Sequence, residues 1–271
     1  MSKVLTSIFV WLFIFGLAIV CQSFGAIDPA TAVGIWLFEG NANDSSENGN
    51  DGELMKGAKF SNEAKFNKQA LSLDGKDDYV LVETSASLES TSKKYTGVAW
   101  VKFKRKGGKA PGVCCQDDQM VIAFSLNWHN ILNVFGRGGR AIPGAVEVGS
   151  SDLQPSWFSG PTLVDDDKWH HIVFTYDGAS KVIYVDGKVD GEQATKGDFG
   201  VFDIDLLIGG TPTVEIPSNG LVDDVGIFNV ALAEADIKKI MNDGLARSLG
   251  VKAIEPKDKL TTIWARIKFQ R

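Results

Sequence analysis

Short runs in which apolar and polar residues alternate recur along most of this chain. A strand places successive side chains on opposite faces of a sheet, so alternation with a period of two predicts strands with one buried face. The run from Trp169 to Tyr176 mixes aromatic and β-branched residues in this way. The same pattern predicts strands at residues 33–38, 70–73, 79–82, 96–103, 120–126, 131–135, 169–176, 181–185, 206–208 and 221–228.

Tight turns separate several of these predicted strands. Asp186-Gly187 lies between two apolar runs, which is a strong hairpin signal because both residues tolerate positive φ. Asp74-Gly75 and Asp177-Gly178 serve similarly. Many short strands joined by such turns predict an all-β fold of antiparallel strands, a sandwich or a barrel.

One short C-terminal helix is predicted at residues 233–242. Ala233, Ile237, Ile240 and Met241 recur at helical spacing, and Gly244 occupies the position where a helix ends.

The N-terminus has the anatomy of a secretory signal peptide. Lys3 precedes an apolar run at residues 8–20, and small residues flank a predicted cut after Gly25. The run is short for a membrane span, which needs roughly 20 apolar residues. We therefore predict that residues 1–25 are a signal peptide and that the protein is secreted or exposed at the cell surface. An uncleaved membrane anchor is the alternative.

Export would place the two cysteines that remain after cleavage in an oxidising compartment. Cys114 and Cys115 are adjacent, so in an oxidising compartment they can form a vicinal disulfide. Two reduced thiols, or pairing with another chain, are the alternatives.

Charge divides the chain into an acidic body and a basic tail. The net charge of −6 and the lack of a large basic face argue against nucleic acid as a partner. The globular domain is predicted at residues 26–246. Residues 247–271 are rich in Lys and Arg, and alternation over residues 263–269 predicts one extra strand, with a flexible tail as the alternative.

A series of short motifs resembles a known family. In chain order they are WLFEG (36–40), DSSENGNDG (44–52), ALSLDG (70–75), DDYV (77–80), VAWVK (98–102), KWHH (168–171), YDG (176–178), YVDG (184–187), LIGG (207–210) and GLVDDVGIFN (220–229). Their order resembles the laminin-G-like, concanavalin A-like jelly-roll family of bacterial surface and secreted proteins, over residues 33–243. This resemblance implies a two-sheet antiparallel jelly-roll sandwich that recognises ligands.

Calcium is the metal that this chain favours. Residues 39–52 are dense in the carboxylate and amide oxygens that Ca²⁺ prefers. The resemblance implies a structural calcium between this loop and the acidic pair before the last long strand. The predicted ligands are Glu39, Asn41, Asp44, Asn50, Asp51, Asp223 and Asp224. The alternative is a solvated turn in which Asp223 or Asp224 binds backbone amides.

Aromatic residues in predicted loops are the candidate contacts for a sugar. Trp128 with His129, and Trp157, lie beside polar neighbours, and Arg137 lies in a glycine-rich stretch. Packing of the two tryptophans beneath long loops is the alternative. The predicted partner is therefore an extracellular glycan, with adhesion to a surface protein as the alternative, and the sequence leaves the oligomeric state open.

Catalysis has little support in the sequence. A retaining glycosidase needs two carboxylates about 5 Å apart. Asp203 and Asp205 lack the downstream glutamate of the glucanase pattern, and the adjacent residues Asp223 and Asp224 would point to opposite faces of a strand. His170 and His171 are separated in the same way, which disfavours a zinc site. The sequence predicts a recognition domain that is not an enzyme.

Overall fold

Two antiparallel sheets packed face to face form the body of this chain. The computed structural model describes residues 27–88, 94–104, 119–124, 129–134, 144–149, 152–197, 205–210 and 218–252, with the backbone alone for 119–124 and 129–134. A short 3₁₀ helix (Pro29–Thr31) precedes the first strand. The predicted all-β sandwich with one C-terminal helix is confirmed.

The described strands and helix follow one another along the chain. They are β1 (Ala32–Trp36), β2 (Gly52–Met55), β3 (Lys59–Ser61), β4 (Ala70–Asp74), β5 (Tyr79–Val82), β6 (Tyr95–Phe103), β7 (Gln119–Phe124), β8 (His129–Val134), β9 (Ala145–Gly149), β10 (Trp157–Leu163), β11 (His170–Tyr176), β12 (Ser180–Val185), β13 (Lys188–Ala194), β14 (Leu206–Ile208), β15 (Asn219–Phe228) and α1 (Glu234–Leu249).

The strands divide into two sheets that enclose the main core. Sheet A has the order β13–β12–β11–β6–β15–β4–β3, with β1 paired to β15, and sheet B has the order β10–β9–β8–β7–β14–β5–β2. Alternate residues of many strands with described side chains point inward, such as Val101 and Phe103 on β6 and Val146 and Val148 on β9. Burial of these apolar side chains between the sheets is the main stabilising contribution.

The outer face of sheet A carries a second apolar cluster, which α1 covers. Val98 on β6 and Val173 on β11 point to this face and pack with Ile237, Ile240 and Leu245 of the helix. The helix is thus amphipathic, with its apolar side on the sheet.

Gly244 interrupts α1 and does not end it. Its backbone has φ 76° and ψ 163°, which is outside the helical range and within the region that favours glycine. The helix resumes and ends at Gly250, which has the left-handed conformation of a C-terminal cap. The prediction that the helix stops before Gly244 is therefore corrected: packed residues continue to Leu249, which is buried.

Five strands were not among those predicted from alternation: β2, β3, β9, β10 and β13. β10 contains Gly160 and Pro161, and β13 carries polar residues on both faces, so neither shows the expected pattern. Among the described residues, no helix is long and apolar enough to cross a membrane. The predicted signal peptide, the two cysteines and residues 253–271 lie outside the described ranges.

Candidate functional site: a groove on the edge strand of sheet B

An open groove lies along the edge strand β10 and its neighbour β9. Its volume is about 440 Å³, and its described lining residues are Glu147, Gln154, Pro155, Ser156, Trp157, Phe158 and Ser159. In the register of the two strands Trp157 lies opposite Gly149 and Ser159 lies opposite Glu147. Opposed residues of paired strands share a face of the sheet, so Trp157, Ser159 and Glu147 face the same side.

Gly149 allows the indole of Trp157 to lie against the sheet. A Cβ atom on Gly149 would be 2.2 Å from Trp157 Cε3, a distance that no side chain tolerates. The missing side chain therefore leaves space for the six-membered part of the ring directly over β9. Phe158 points to the opposite side, where it packs against the main core and close to Gly191. The half-buried Trp157 is thus the aromatic surface of the groove.

A buried lysine supports the wall of the groove from sheet A. Lys181 on β12 is fully buried, and its Nζ donates to the carbonyl oxygens of Pro155 (2.6 Å) and Ser156 (2.9 Å). Burial lowers the pKa of Lys181 to about 8, while the negative charge of Glu147 opposes that change. The groove therefore combines an aromatic ring with hydroxyl, amide and carboxylate groups, a composition that can bind a hydroxylated ligand.

Only one of the four predicted ligand-binding residues has a described side chain, and it lies in this groove. That residue is Trp157. His129 begins β8, in the same sheet and two strands from β10, and only its backbone is described. Trp128 and Arg137 lie outside the described residues. The sequence did not identify Glu147 and Lys181 as site residues. Glu147 lies in β9, a strand that was not predicted, and Lys181 is a charged residue in a strand that is otherwise mostly buried.

The predicted calcium ligands separate into two groups. In the first group, Asp44 is fully buried and both of its carboxylate oxygens accept hydrogen bonds. Oδ1 accepts from the backbone N–H groups of Ile35 and Ser46 (both 2.8 Å), and Oδ2 accepts from the Asn50 N–H (2.8 Å) and the Ser46 hydroxyl (2.7 Å). Asp51 accepts from the Asp44 N–H (3.0 Å). These groups fold the loop onto β1.

Asn50 and Asn41 have similar local bonds. Asn50 donates from Nδ2 to the Val33 carbonyl (2.8 Å), and its Oδ1 accepts from the hydroxyls of Ser85 and Ser87. Asn41 Oδ1 accepts from the Asn43 N–H (2.9 Å). Side-chain oxygens of Asn41, Asp44 and Asn50 therefore already accept from donors of the chain itself.

The second group surrounds the segment 65–69, which lies over the outer face of sheet A. Asp223 Oδ2 accepts from the N–H groups of Lys65 (2.9 Å) and Phe66 (3.0 Å). Glu39 accepts from the N–H groups of Lys68 and Gln69. In these contacts acidic side chains bind backbone amides, which is the alternative to calcium binding expected from the sequence for Asp223 or Asp224.

A register shift in β15 keeps both carboxylates of the acidic pair buried. The shift lies between Asp223 and Gly226, and Asp224 has φ 45°. Asp224 Oδ2 accepts from the Leu245 N–H (2.7 Å), directly after the break in α1, whereas Oδ1 is buried and has no partner among the described residues. The two neighbouring carboxylates therefore lie on the same outer face of sheet A, against different elements, and the prediction that they point to opposite faces of the strand is wrong.

Burial strongly perturbs the acidic pair. It raises the pKa of Asp223 to about 8, and the charge of Asp224 adds to the effect. It raises the pKa of Asp224 to about 7; the Leu245 N–H opposes this change and the charge of Glu39 adds to it. A proton or a cation would relieve the repulsion.

Two other features concern metal binding. Among the described residues, one group of three carboxylates places its oxygens within 4.8 Å of one another: Asp74, Asp77 and Asp78. None of the three was predicted as a metal ligand. The two histidines have separate surroundings, as expected. His170 contacts Asp166 and Asp186, whereas His171 is buried against Trp100, with ring centroids 5.1 Å apart.

The sequence also matches a family of known proteins. The laminin-G family described as the concanavalin A-like lectin/glucanases superfamily matches residues 74–238, which is more than half of the chain. The chain belongs to this family. The matched region begins at the end of β4 and continues into α1, so it includes the two strands of the groove and the acidic pair. The laminin-G-like resemblance of the motifs is thereby confirmed.

Solved structures of distant sequence share the laminin-G-like fold. The binding domain of Paraclostridial Mosquitocidal Protein 1 is 13% identical, with a TM-score of 0.62, over 79% of this chain and 52% of that one. The binding domain of botulinum neurotoxin serotype G is 14% identical, with a TM-score of 0.60, over 78% and 50%. This chain thus spans about half the length of these two toxin domains.

A third solved structure matches this chain over nearly all of its own length. Domain 4 of AbnA, an extracellular arabinanase from Geobacillus stearothermophilus, was solved in complex with arabinotriose. It is 16% identical, with a TM-score of 0.58, over 78% of this chain and 98% of that one. At this level of identity the likeness shows the fold. No curated protein sequence matches the chain.

Proposed function

We propose that this protein is a carbohydrate-binding domain and that the groove beside Trp157 is its binding site. The observation that carries the proposal is the indole lying over Gly149, with Glu147 and Ser159 on the same side of the sheet. The apolar face of a sugar ring stacks on an aromatic ring, while its hydroxyl groups exchange hydrogen bonds with carboxylate, amide and hydroxyl groups.

The AbnA domain supports a sugar as the ligand. That domain was solved with a bound arabinotriose, and nearly its whole length corresponds to part of this chain. The toxin binding domains favour the wider class of recognition domains over enzymes. The signal-like residues 1–25 support export, which would place the domain outside the cell, where polysaccharides and surface glycans are found.

A non-catalytic role follows from the arrangement of the carboxylates. Glycoside hydrolysis needs two carboxylates that flank the scissile bond. Among the described residues that line the groove, Glu147 is the single carboxylate. Asp223 and Asp224 are buried beneath other elements and bind backbone amides, so neither is placed to meet a substrate.

A structural calcium fits the second group of predicted ligands better than the first. The oxygens of Asp44 already accept four hydrogen bonds, whereas Asp224 Oδ1 has no described partner and Glu39 adds negative charge nearby. We therefore propose Asp224 as the residue of the second group that would bind a calcium ion; Asp223, Asp224 and Glu39 do not bring one oxygen each within 4.8 Å of one another, so the three do not share a single ion as they stand. A divalent cation there would offset the repulsion between the buried carboxylates.

Trp157→Ala is expected to abolish measurable sugar binding. A central tryptophan in a binding site contributes about 2 kcal/mol or more, which is roughly a thirtyfold change in Kd. The measurement is isothermal titration calorimetry with arabinotriose, xylotriose, cellotriose and galactotriose. Leu163→Ala is the matched control, because Leu163 is an exposed apolar residue on the same strand and outside the groove.

The controls separate sugar binding from protein binding. If wild type and Trp157→Ala bind a trisaccharide equally, the groove is not the site. If none of the four sugars binds wild type, while a purified surface protein is captured in a way that depends on residues 247–271, the adhesion hypothesis replaces the proposal.

Calcium is expected to raise the melting temperature of the wild-type protein. A ligand at 100 times its Kd contributes about 2.7 kcal/mol to the free energy of unfolding. The measurement is thermal denaturation at neutral pH in calcium and in chelator. Asp224→Asn should remove the difference, and Asp74→Asn, in the other acidic cluster, should retain it. An equal midpoint in calcium and chelator would exclude the metal.

A further inference from the structure

Lys181 has an unusual position for a lysine. It occupies the inward row of β12 together with Ile183 and Val185, and none of its surface is exposed. Lysine is almost never fully buried unless its charge is compensated. Its burial at the edge of the sandwich therefore indicates a specific role.

The groups around the ammonium belong to the groove. Nζ donates to the carbonyls of Pro155 and Ser156, both of which line it. The negative charge of Glu147 on β9 also acts on the ammonium and favours its charged form. The register partners of Lys181 are Tyr176 on β11 and Gln193 on β13. Gln193 Oε1 is a buried acceptor with no described partner.

The segment that Lys181 binds leads directly into Trp157. Gln154 is held on one side by two backbone hydrogen bonds to Lys196, of 2.8 and 2.9 Å. The next two residues turn into β10, and their carbonyl oxygens point to Lys181. Without that donor the two carbonyls would lose charge-assisted hydrogen bonds, and the start of β10 would be free to shift.

We propose that Lys181 is a positioning residue for the groove: from sheet A it fixes the Pro155–Ser156 wall on sheet B and thereby the orientation of Trp157. The inference rests on the proposed function of the groove as a sugar site. It adds a residue that touches no ligand but on which ligand affinity depends.

The pH dependence distinguishes this role from a general stabilising one. The pKa of Lys181 is lower in the folded state than in the unfolded state, so its contribution to stability becomes more favourable as pH rises through 8. The same loss of charge weakens the bonds to the two carbonyls. Sugar affinity should therefore fall above pH 8, although the contribution of Lys181 to stability becomes more favourable over the same range.

The experiment compares Lys181→Met with Lys188→Met, an exposed lysine on β13. Hydrogen exchange of the amides in residues 154–159 reports the wall without any ligand, and calorimetry with the trisaccharide that wild type binds best reports affinity. In Lys181→Met we expect exchange at least about tenfold faster and binding about tenfold weaker, with no fall above pH 8. Lys188→Met should behave like wild type.

Each result decides one hypothesis. Unchanged exchange and affinity in Lys181→Met would overturn the positioning role and leave the sugar site intact. If no trisaccharide binds wild type, the sugar site fails, and the exchange rates still decide whether Lys181 holds the wall. If Lys181→Met does not fold, the pH profile of wild type decides: an affinity that is constant from pH 7 to 9 contradicts the proposal.

Discussion

Asp44→Ala is expected to lower the free energy of unfolding by about 4 kcal/mol or more, a large part of the roughly 5–15 kcal/mol that is typical of a domain. Its carboxylate is fully buried and accepts four hydrogen bonds. Hydrogen bonds to a charged group contribute about 1.5–3 kcal/mol each, and the substitution leaves buried amide donors without partners. Equilibrium unfolding in urea measures the change.

Two further variants test the cause of that effect. Asp44→Asn keeps the shape but replaces one acceptor oxygen with an amino group, which faces two of the donors, so an intermediate loss is expected. Glu47→Ala changes an exposed carboxylate of the same loop and should alter stability by less than about 0.5 kcal/mol. A wild-type stability for Asp44→Asn would show that the four hydrogen bonds are not what holds this loop.

The stability of the calcium-free protein is expected to decrease by about 2 kcal/mol between about pH 6.5 and 8, before the opposite contribution of Lys181 becomes large. Burial raises the pKa values of Asp223 and Asp224 to about 8 and about 7, so the folded protein holds protons that the unfolded chain has released. This contribution is complete below the ordinary carboxyl pKa and is lost as pH rises through the folded-state values. Urea denaturation in chelator at a series of pH values measures it.

Asp224→Asn should reduce that pH dependence, because Asp223 keeps a pKa that burial raises, and it should be more stable than wild type at pH 8.5. Asparagine keeps an acceptor for the Leu245 N–H and carries no charge. Glu53→Gln, an exposed carboxylate on β2, should leave the slope unchanged. His171, whose pKa burial lowers to about 3, is neutral in the folded protein throughout this range, and the unfolded chain has lost most of its proton by about pH 7.5, so this residue adds only a small slope of opposite sign. A flat wild-type profile would contradict the buried, protonated pair.

Much of the fold could be predicted because burial and alternation coincide in most of its strands. Leu206–Ile208 and Tyr79–Val82 were predicted with the bounds that the structure has. The pattern fails where a strand carries Gly-Pro, as β10 does, or polar residues on both faces, as β13 does. The break in α1 was missed because the i+4 spacing stops at Met241, although a second turn packs beyond Gly244.

The site was only partly predictable, for a reason that lies in its geometry. Trp157 was identified as a candidate from its polar neighbours, but its orientation depends on Gly149, which is distant in sequence and adjacent in the sheet. Lys181 reaches the groove from the other sheet, a contact that no local pattern reveals. Asp44 was predicted as a calcium ligand, whereas in the structure its oxygens accept from backbone amides and a hydroxyl; composition alone does not separate these two roles.

The pairing of β1 with β15 constrains the order in which this protein folds. Ala32 pairs with Phe228, so the first strand to be synthesised acquires its partner only when nearly the whole domain is present. All five residues of β1 are buried in the folded state and remain exposed until then. Contacts of such long sequence separation slow folding. We therefore expect the domain to fold after synthesis as a single late event, with an apolar segment that needs protection from aggregation in the meantime.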